Sequence, residues 1–134
     1  MLNLDTGTAI AFIAEGSTQR RLLREYIGDC KMVITATAVE EFRKIVNTIA
    51  GERERARAYL LLQKVDIIDD DPSPRALKLK VTRKLGENDI IIMGTGDKLG
   101  IITITCDSKA VRAATAQGVE FNTYVHLPYS LQSL

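Results

Sequence analysis

The sequence predicts an α/β protein, a three-layer α/β/α sandwich on a mostly parallel central sheet, organised as a single domain over residues 1–134. Three observations predict it. Short apolar segments alternate with longer amphipathic ones along the whole chain. Several of the short segments, such as "CKMVIT" and "IITITC", are continuous runs of apolar and β-branched residues, as strands covered on both faces require. A chain of 134 residues suits one core, and no repeat, linker or low-complexity segment divides it.

Met1 to Leu4 forms the first strand, ending at Asp5. In "TGTAIAFIAEG", Ala9, Ile10, Phe12 and Ile13 fall at near-helical spacing, and Gly16 ends the piece. Ser17 can cap a second helix that turns Leu22, Leu23 and Tyr26 inward, and Gly28-Asp29 marks a turn. "CKMVIT" is the second strand. "TATAVEEFRKIVNTIAG" is a helix ended by Gly51, with Ala38, Val39, Phe42, Ile45, Val46, Ile49 and Ala50 filling an apolar arc of roughly 140°.

"ERERARAYLLLQ" reads as a helix with a basic face (Arg53, Arg55, Arg57) and an apolar end (Leu60 to Leu62). "KVDIID" is a third strand. "DDDPSP" is a loop leading into a helix "PRALKLKVTRKL", with Ser73 as cap and Pro74 in its first turn. After Gly86, "ENDIIIMGTGDKLG" is a short apolar helix closed by Gly100. Strand "IITITC", a helix from Ser108 to Gln117, Gly118 and a last strand near "VEFNTY" follow. The tail "VHLPYSLQSL" carries no clear pattern.

Composition excludes several functions. The formal net charge is only +1, so contact with nucleic acid must come from local basic patches. Trp is absent and aromatics make up 5%, which argues against a base-stacking platform. Cys30 and Cys106 with the single His126 cannot furnish a four-ligand zinc site, and read as buried thiols in a reducing cytosol. His126 reads as a surface or dimer contact. The first segment lacks a basic n-region and is interrupted by Asp5, and no apolar run approaches the ~20 residues that span a bilayer. A cytoplasmic protein without membrane contact is expected.

Four acids then stand at element ends. Asp5 follows the first strand, Glu40 and Glu41 lie in the helix after the second, Asp89 opens the apolar helix, and Asp107 follows the fourth strand. Right-handed crossovers gather strand ends and the helix starts after them on one edge of the sheet, so these acids can converge. Close carboxylates raise each other's pKa, and no Lys or Arg stands at an equivalent position to neutralise them. A hard divalent cation, Mg²⁺ or Mn²⁺, would. Glu41 lies roughly 110° from the centre of the apolar arc and Glu40 roughly 150°, which favours Glu41 as the inward acid. Each acid also has a plain local reading; Asp107, for example, is a good helix N-cap.

Four pieces, "LNLDTGTAIAFI", "VITATAVEEF", "LGENDIIIMGTG" and "IITITCDSKAV", resemble in order and spacing the PIN-domain proteins, in particular the small PIN ribonuclease toxins of toxin–antitoxin pairs. The resemblance implies that Asp5, Glu41, Asp89 and Asp107 are both the metal ligands and the catalytic residues of a Mg²⁺- or Mn²⁺-dependent endoribonuclease. Thr6 and Thr105 would orient carboxylates from behind. The resemblance further implies an RNA substrate, a homodimer and an antitoxin partner that occludes the cleft. Gly94 and Gly96 depart from the family, which prefers Ala there, and Val111 stands where Phe is common.

Arg53, Arg55, Arg57, Arg75, Lys78, Lys80, Arg83 and Lys84 are the cations available to track phosphates, although charge runs are more often plain solvated faces. A PIN-like RNA-binding or protein-interaction module without turnover is the alternative. A phospho-accepting receiver domain fits less well, because Asp5 has no acidic neighbour and no Lys ends a late strand.

Overall fold

The computed structural model describes residues 1–131; the last three residues of the unpatterned tail lie outside the described residues. The strands are β1 (Leu2–Leu4), β2 (Met32–Thr35), β3 (Asp66–Ile68), β4 (Ile102–Thr105) and β5 (Thr123–Val125). The helices are α1 (Thr6–Ile13), α2 (Gln19–Ile27), α3 (Ala36–Ile49), α4 (Glu52–Lys64), α5 (Pro74–Leu77), α6 (Glu87–Leu99) and α7 (Ser108–Ala116). All five strands form one sheet in the order β3-β2-β1-β4-β5, and every neighbouring pair is parallel.

This order fixes the layers. The chain steps outward from β1 through β2 to β3, then crosses back to β4 and β5. Right-handed crossovers place α1 to α4 on one face and α5 to α7 on the other. Two apolar clusters match: Phe12, Leu23, Phe42 and Leu61 among others pack on the first face, and Ala76, Leu85, Met93, Ala114 and Phe121 on the second. Leu4, Ile34 and Ile104 lie fully buried in the three central strands. The direction of stepping reverses between β1 and β4, so the sheet has its topological switch point there, where open α/β sheets bind ligands.

Most elements form where the sequence places them, with four corrections. In α2 the inward residues are Gln19, Leu23 and Ile27, one per turn; Leu22 is 53% exposed and Tyr26 is pushed to the rim, where it stacks on Tyr124. Gly51 does not end α3. Ala50 is its C-cap, and Gly51 is the residue from which α4 starts. The helix expected across "PRALKLKVTRKL" stops at Leu77. Beyond it, the side chain of Gln117 accepts from Lys80 N–H and donates to Lys80 C=O, and a turn closes between Thr82 and Leu85. These bonds satisfy the backbone outside a helix, and they let Leu85 reach the core. Cys30 is exposed and Cys106 half-buried, both as free thiols, so neither is the fully buried thiol expected.

Gly94 and Gly96 have a packing reason. A Cβ on Gly94 would lie 2.7 Å from Ala76 Cβ and 2.8 Å from Pro72 Cβ; one on Gly96 would lie 2.3 Å from Thr103 Oγ1. Helix α6 therefore sits closer to the 72–76 segment and to β4 than an alanine would permit.

Candidate functional site

Asp5 and Asp107 flank the switch point, at the ends of β1 and β4. The Asp5 N–H donates to Ile104 C=O at 3.0 Å, which ties the top of β1 to β4. The Asp5 carboxylate accepts from Thr6 N–H on one oxygen and from the Thr105 hydroxyl, at 2.6 Å, on the other. Glu41 reaches the same edge from the second turn of α3. Its Oε1 accepts from the Thr6 hydroxyl at 2.7 Å and its Oε2 from the Asn88 amide at 3.0 Å. Asp89 stands in the first turn of α6 and accepts from Gly86 N–H at 2.9 Å. Asp107 caps α7 by accepting from Ala110 N–H at 3.0 Å, while its own N–H donates to Thr105 Oγ1.

The hydroxyls and the amide connect the acids. Thr6 follows Asp5 and holds Glu41; Thr105 holds Asp5 and receives Asp107; Asn88 precedes Asp89 and holds Glu41. Thr6 and Thr105 were legible as orienting residues. Asn88 was missed, and the only available signal was its place beside Asp89. Glu40 points outward, 72% exposed, beside Lys44. That is the geometry the helical wheel favours for the pair.

The electrostatics follow from burial and like charge. Asp5 is pushed up to about 6, first by burial, with Asp89 and Glu41 adding repulsion against the pull of its hydrogen bonds. Asp89 is also raised, by burial and then by Asp107 and Glu41, against its bond from Gly86. Among the described residues none of the four acids forms an ion pair. Uncompensated carboxylates that repel one another are the donor chemistry a hard divalent cation satisfies. By charge and donor type the site fits such an ion. By placement it is not closed: among the described residues no three donors stand together as a ready ligand set. Each carboxylate already holds a backbone or side-chain donor.

Cys106 lies within the cluster, with its Sγ against Gly7, where any Cβ would collide. Burial first, then Asp5 and Asp107, push its thiol up to about 11, so it stays protonated and is no nucleophile at neutral pH. His126 is half-buried rather than a surface contact. Its Nε2 lies 2.8 Å from Thr8 Oγ1, its N–H donates to Thr105 C=O, and burial lowers its pKa. It anchors the tail to α1 and touches none of the four acids.

Three of the cations expected to be available for a phosphate track serve the fold instead. Arg57 donates to Ile13 C=O and pairs with Glu15 at 2.7 Å, and Arg53 approaches the same Glu15 at 3.8 Å. Arg75 forms a two-pronged pair with Asp97. An apolar hollow of about 230 Å³, lined by Phe12, Ile27, Met32 and Leu61, opens beside the start of β2. It lies at the opposite end of that strand from α3 and the acids.

The fold matches solved structures over nearly the whole chain. VapBC2 from Rickettsia felis bound to a DNA fragment from their promoter aligns at TM-score 0.64 and 15% identity, covering 96% of this chain and all of that one. DNA-bound VapBC from Salmonella typhimurium aligns at 0.63 and 20%, covering 91% and 96%. FitAcB from Neisseria gonorrhoeae aligns at 0.64 and 16%, covering 92% and 96%. The architecture is thus the PIN-like one that the four sequence pieces resemble. Among the described residues no helix is long and apolar enough to cross a membrane. A family model described as a protein of unknown function, DUF1308, matches residues 8–133, and the chain belongs to that family.

Proposed function

We propose that this chain is a metal-dependent endoribonuclease in which Asp5, Glu41, Asp89 and Asp107 would hold Mg²⁺ or Mn²⁺ and carry the hydrolysis of RNA phosphodiester bonds. One observation carries the reading. Four acids from four separate segments face one sheet edge at the switch point, two of them with raised pKa, and none of them ion-paired among the described residues. A bound cation would supply Lewis acidity to a phosphate oxygen and to the attacking water.

The chain's own residues do the rest. Thr105 and Thr6 fix the carboxylate planes of Asp5 and Glu41, and Asn88 fixes the second oxygen of Glu41. Without a cation, burial first and then Asp89 and Glu41 push Asp5 up to about 6; a bound cation would hold it ionised as a ligand. The Cys106 thiol stays out of the chemistry. The finer reading, the toxin of a toxin–antitoxin pair that forms a homodimer and is covered by an antitoxin, rests on the four-piece resemblance. It is supported by the fold shared with VapBC and FitAcB.

A second reading has its own support. Each carboxylate is already engaged by a hydrogen-bond donor, and no three form a ready ligand set among the described residues. A PIN-like binding module without turnover would look like this. Cleavage of single-stranded RNA with Mn²⁺ or Mg²⁺, with and without EDTA, decides. The nuclease reading expects loss of cleavage in EDTA and in Asp5→Asn and Asp107→Asn. Cleavage that survives all three removes it, and tight RNA binding without cleavage moves the protein to the second reading.

A further inference from the structure

We infer that the groove between the 82–85 turn and α7 is a binding track for the sugar-phosphate backbone of a single-stranded RNA leaving the acid cluster. The inference deepens the reading above by naming the surface that grips the substrate.

The groove encloses about 370 Å³ and is open to solvent. Lys84, Lys109 and Arg112 line it, with no acid among the lining residues. All three cations are exposed, and among the described residues none forms an ion pair. They differ in this from Arg53, Arg57 and Arg75. Lys109 stands in the first turn of α7, two residues after the Asp107 cap.

The groove also has fixed walls. Thr82 and Leu85 close their turn with two mutual hydrogen bonds, and Leu85 is fully buried beneath it. Gln117 clamps Lys80 from the α7 side. Lys84 is therefore carried on an anchored turn. Along the chain both walls adjoin the acids: Asp107 caps the helix that bears Lys109 and Arg112, and Asp89 holds Gly86, two residues beyond Lys84. A chain with a regular negative charge and no need for base stacking is the ligand that fits a basic groove without aromatics.

The test is binding of a fluorescein-labelled oligouridine in EDTA, where metal-dependent cleavage is silent. The variant is K84Q/K109Q/R112Q. The control is R24Q/K31Q/K64Q, which removes the same charge near the start of β2. The groove variant should lose at least tenfold in affinity, and its slope of log affinity on log salt should shrink by about 2, at ~0.7 per phosphate contact. The control should lose less than threefold. Wild type that does not bind, or groove and control variants that weaken alike, overturn the inference. So does poly-glutamate that displaces the RNA and binds the groove as tightly, which would assign it to an acidic protein. Because binding is read without metal, intact groove-dependent binding beside absent cleavage sinks only the nuclease reading. Intact metal-dependent cleavage beside unchanged groove-variant binding sinks only this one.

Discussion

The Thr105 hydroxyl donates to Oδ2 of Asp5 at 2.6 Å, across the β1–β4 switch point and a hundred residues of chain. That bond holds a nearly buried carboxylate beside Glu41 and Asp89, whose charges resist its ionisation. The sign of the pH dependence follows. The Asp5 pKa rises from 3.8 unfolded to about 6 folded, so between those values the folded chain binds more protons than the unfolded one. Folding stability falls as pH rises through that window and stays lowered above it. Asp5→Asn abolishes the penalty. In EDTA its stability relative to wild type should therefore improve by about 1–3 kcal/mol between pH 4 and pH 7. Urea melts at the two pH values check it, and a difference that does not grow with pH refutes the buried-acid account.

Thr105→Val tests the same pair from the other side. The methyl keeps the volume but removes the donor, and the hydroxyl is one of the groups that lower the Asp5 pKa. Asp5 should then titrate higher than in wild type, seen in the carboxyl carbon shift by NMR. Affinity for Mn²⁺ should fall by about tenfold, the range typical of lost outer-sphere partners. An unchanged titration would mean that the hydroxyl does not set the carboxylate's charge state.

Gly96→Ala should destabilise despite improving helix propensity. Alanine gains about 1 kcal/mol in a helix interior, but here its Cβ would stand 2.3 Å from Thr103 Oγ1 and 3.0 Å from Asn3 Nδ2. Those two atoms bond each other at 3.0 Å inside the sheet. Overpacking of this kind costs roughly 1–3 kcal/mol, so a net loss of up to about 2 kcal/mol is expected in chemical denaturation. A stabilised Gly96→Ala would show that α6 can retreat from β4 without cost.

The helix α4 shows what the sequence could and could not reveal. Its place and length were legible from "ERERARAYLLLQ", but the alternation of Glu and Arg reads as a solvated face. In the fold Glu54 is 1% exposed, accepting from Gly51 N–H and from Glu15 N–H, a contact 39 residues away. Periodicity reports which face is apolar; it carries no record of a distant backbone N–H that needs an acceptor. The same limit hid Asn88, whose partner Glu41 is on another helix, and the early stop of α5, which depends on Gln117 reaching Lys80. The acids at strand ends were legible because crossover handedness alone brings them to one edge. Their individual hydrogen bonds were not, since these depend on rotamers set by packing.

Asp97 supplies a last, independent prediction. Its carboxylate accepts both prongs of Arg75 and the Ser73 hydroxyl at 2.6 Å, and its side chain is only 14% exposed. Arg75 first, then Ser73, hold its pKa below the usual value, with burial opposing them. A lowered carboxylate adds stability above its unfolded pKa and gives it up as pH falls through the folded one. Arg75 is half exposed, so solvent screening weakens the pair. Asp97→Asn should therefore lose about 1–2 kcal/mol at pH 7, including the weakened charge-assisted bond to Ser73. The deficit should shrink steadily below pH 4 in thermal melts. RNA affinity in EDTA should stay within twofold of wild type, because Arg75 is tied into the fold and does not face a phosphate. A large loss of affinity in this variant would place Arg75 in the substrate track and move that track off α7.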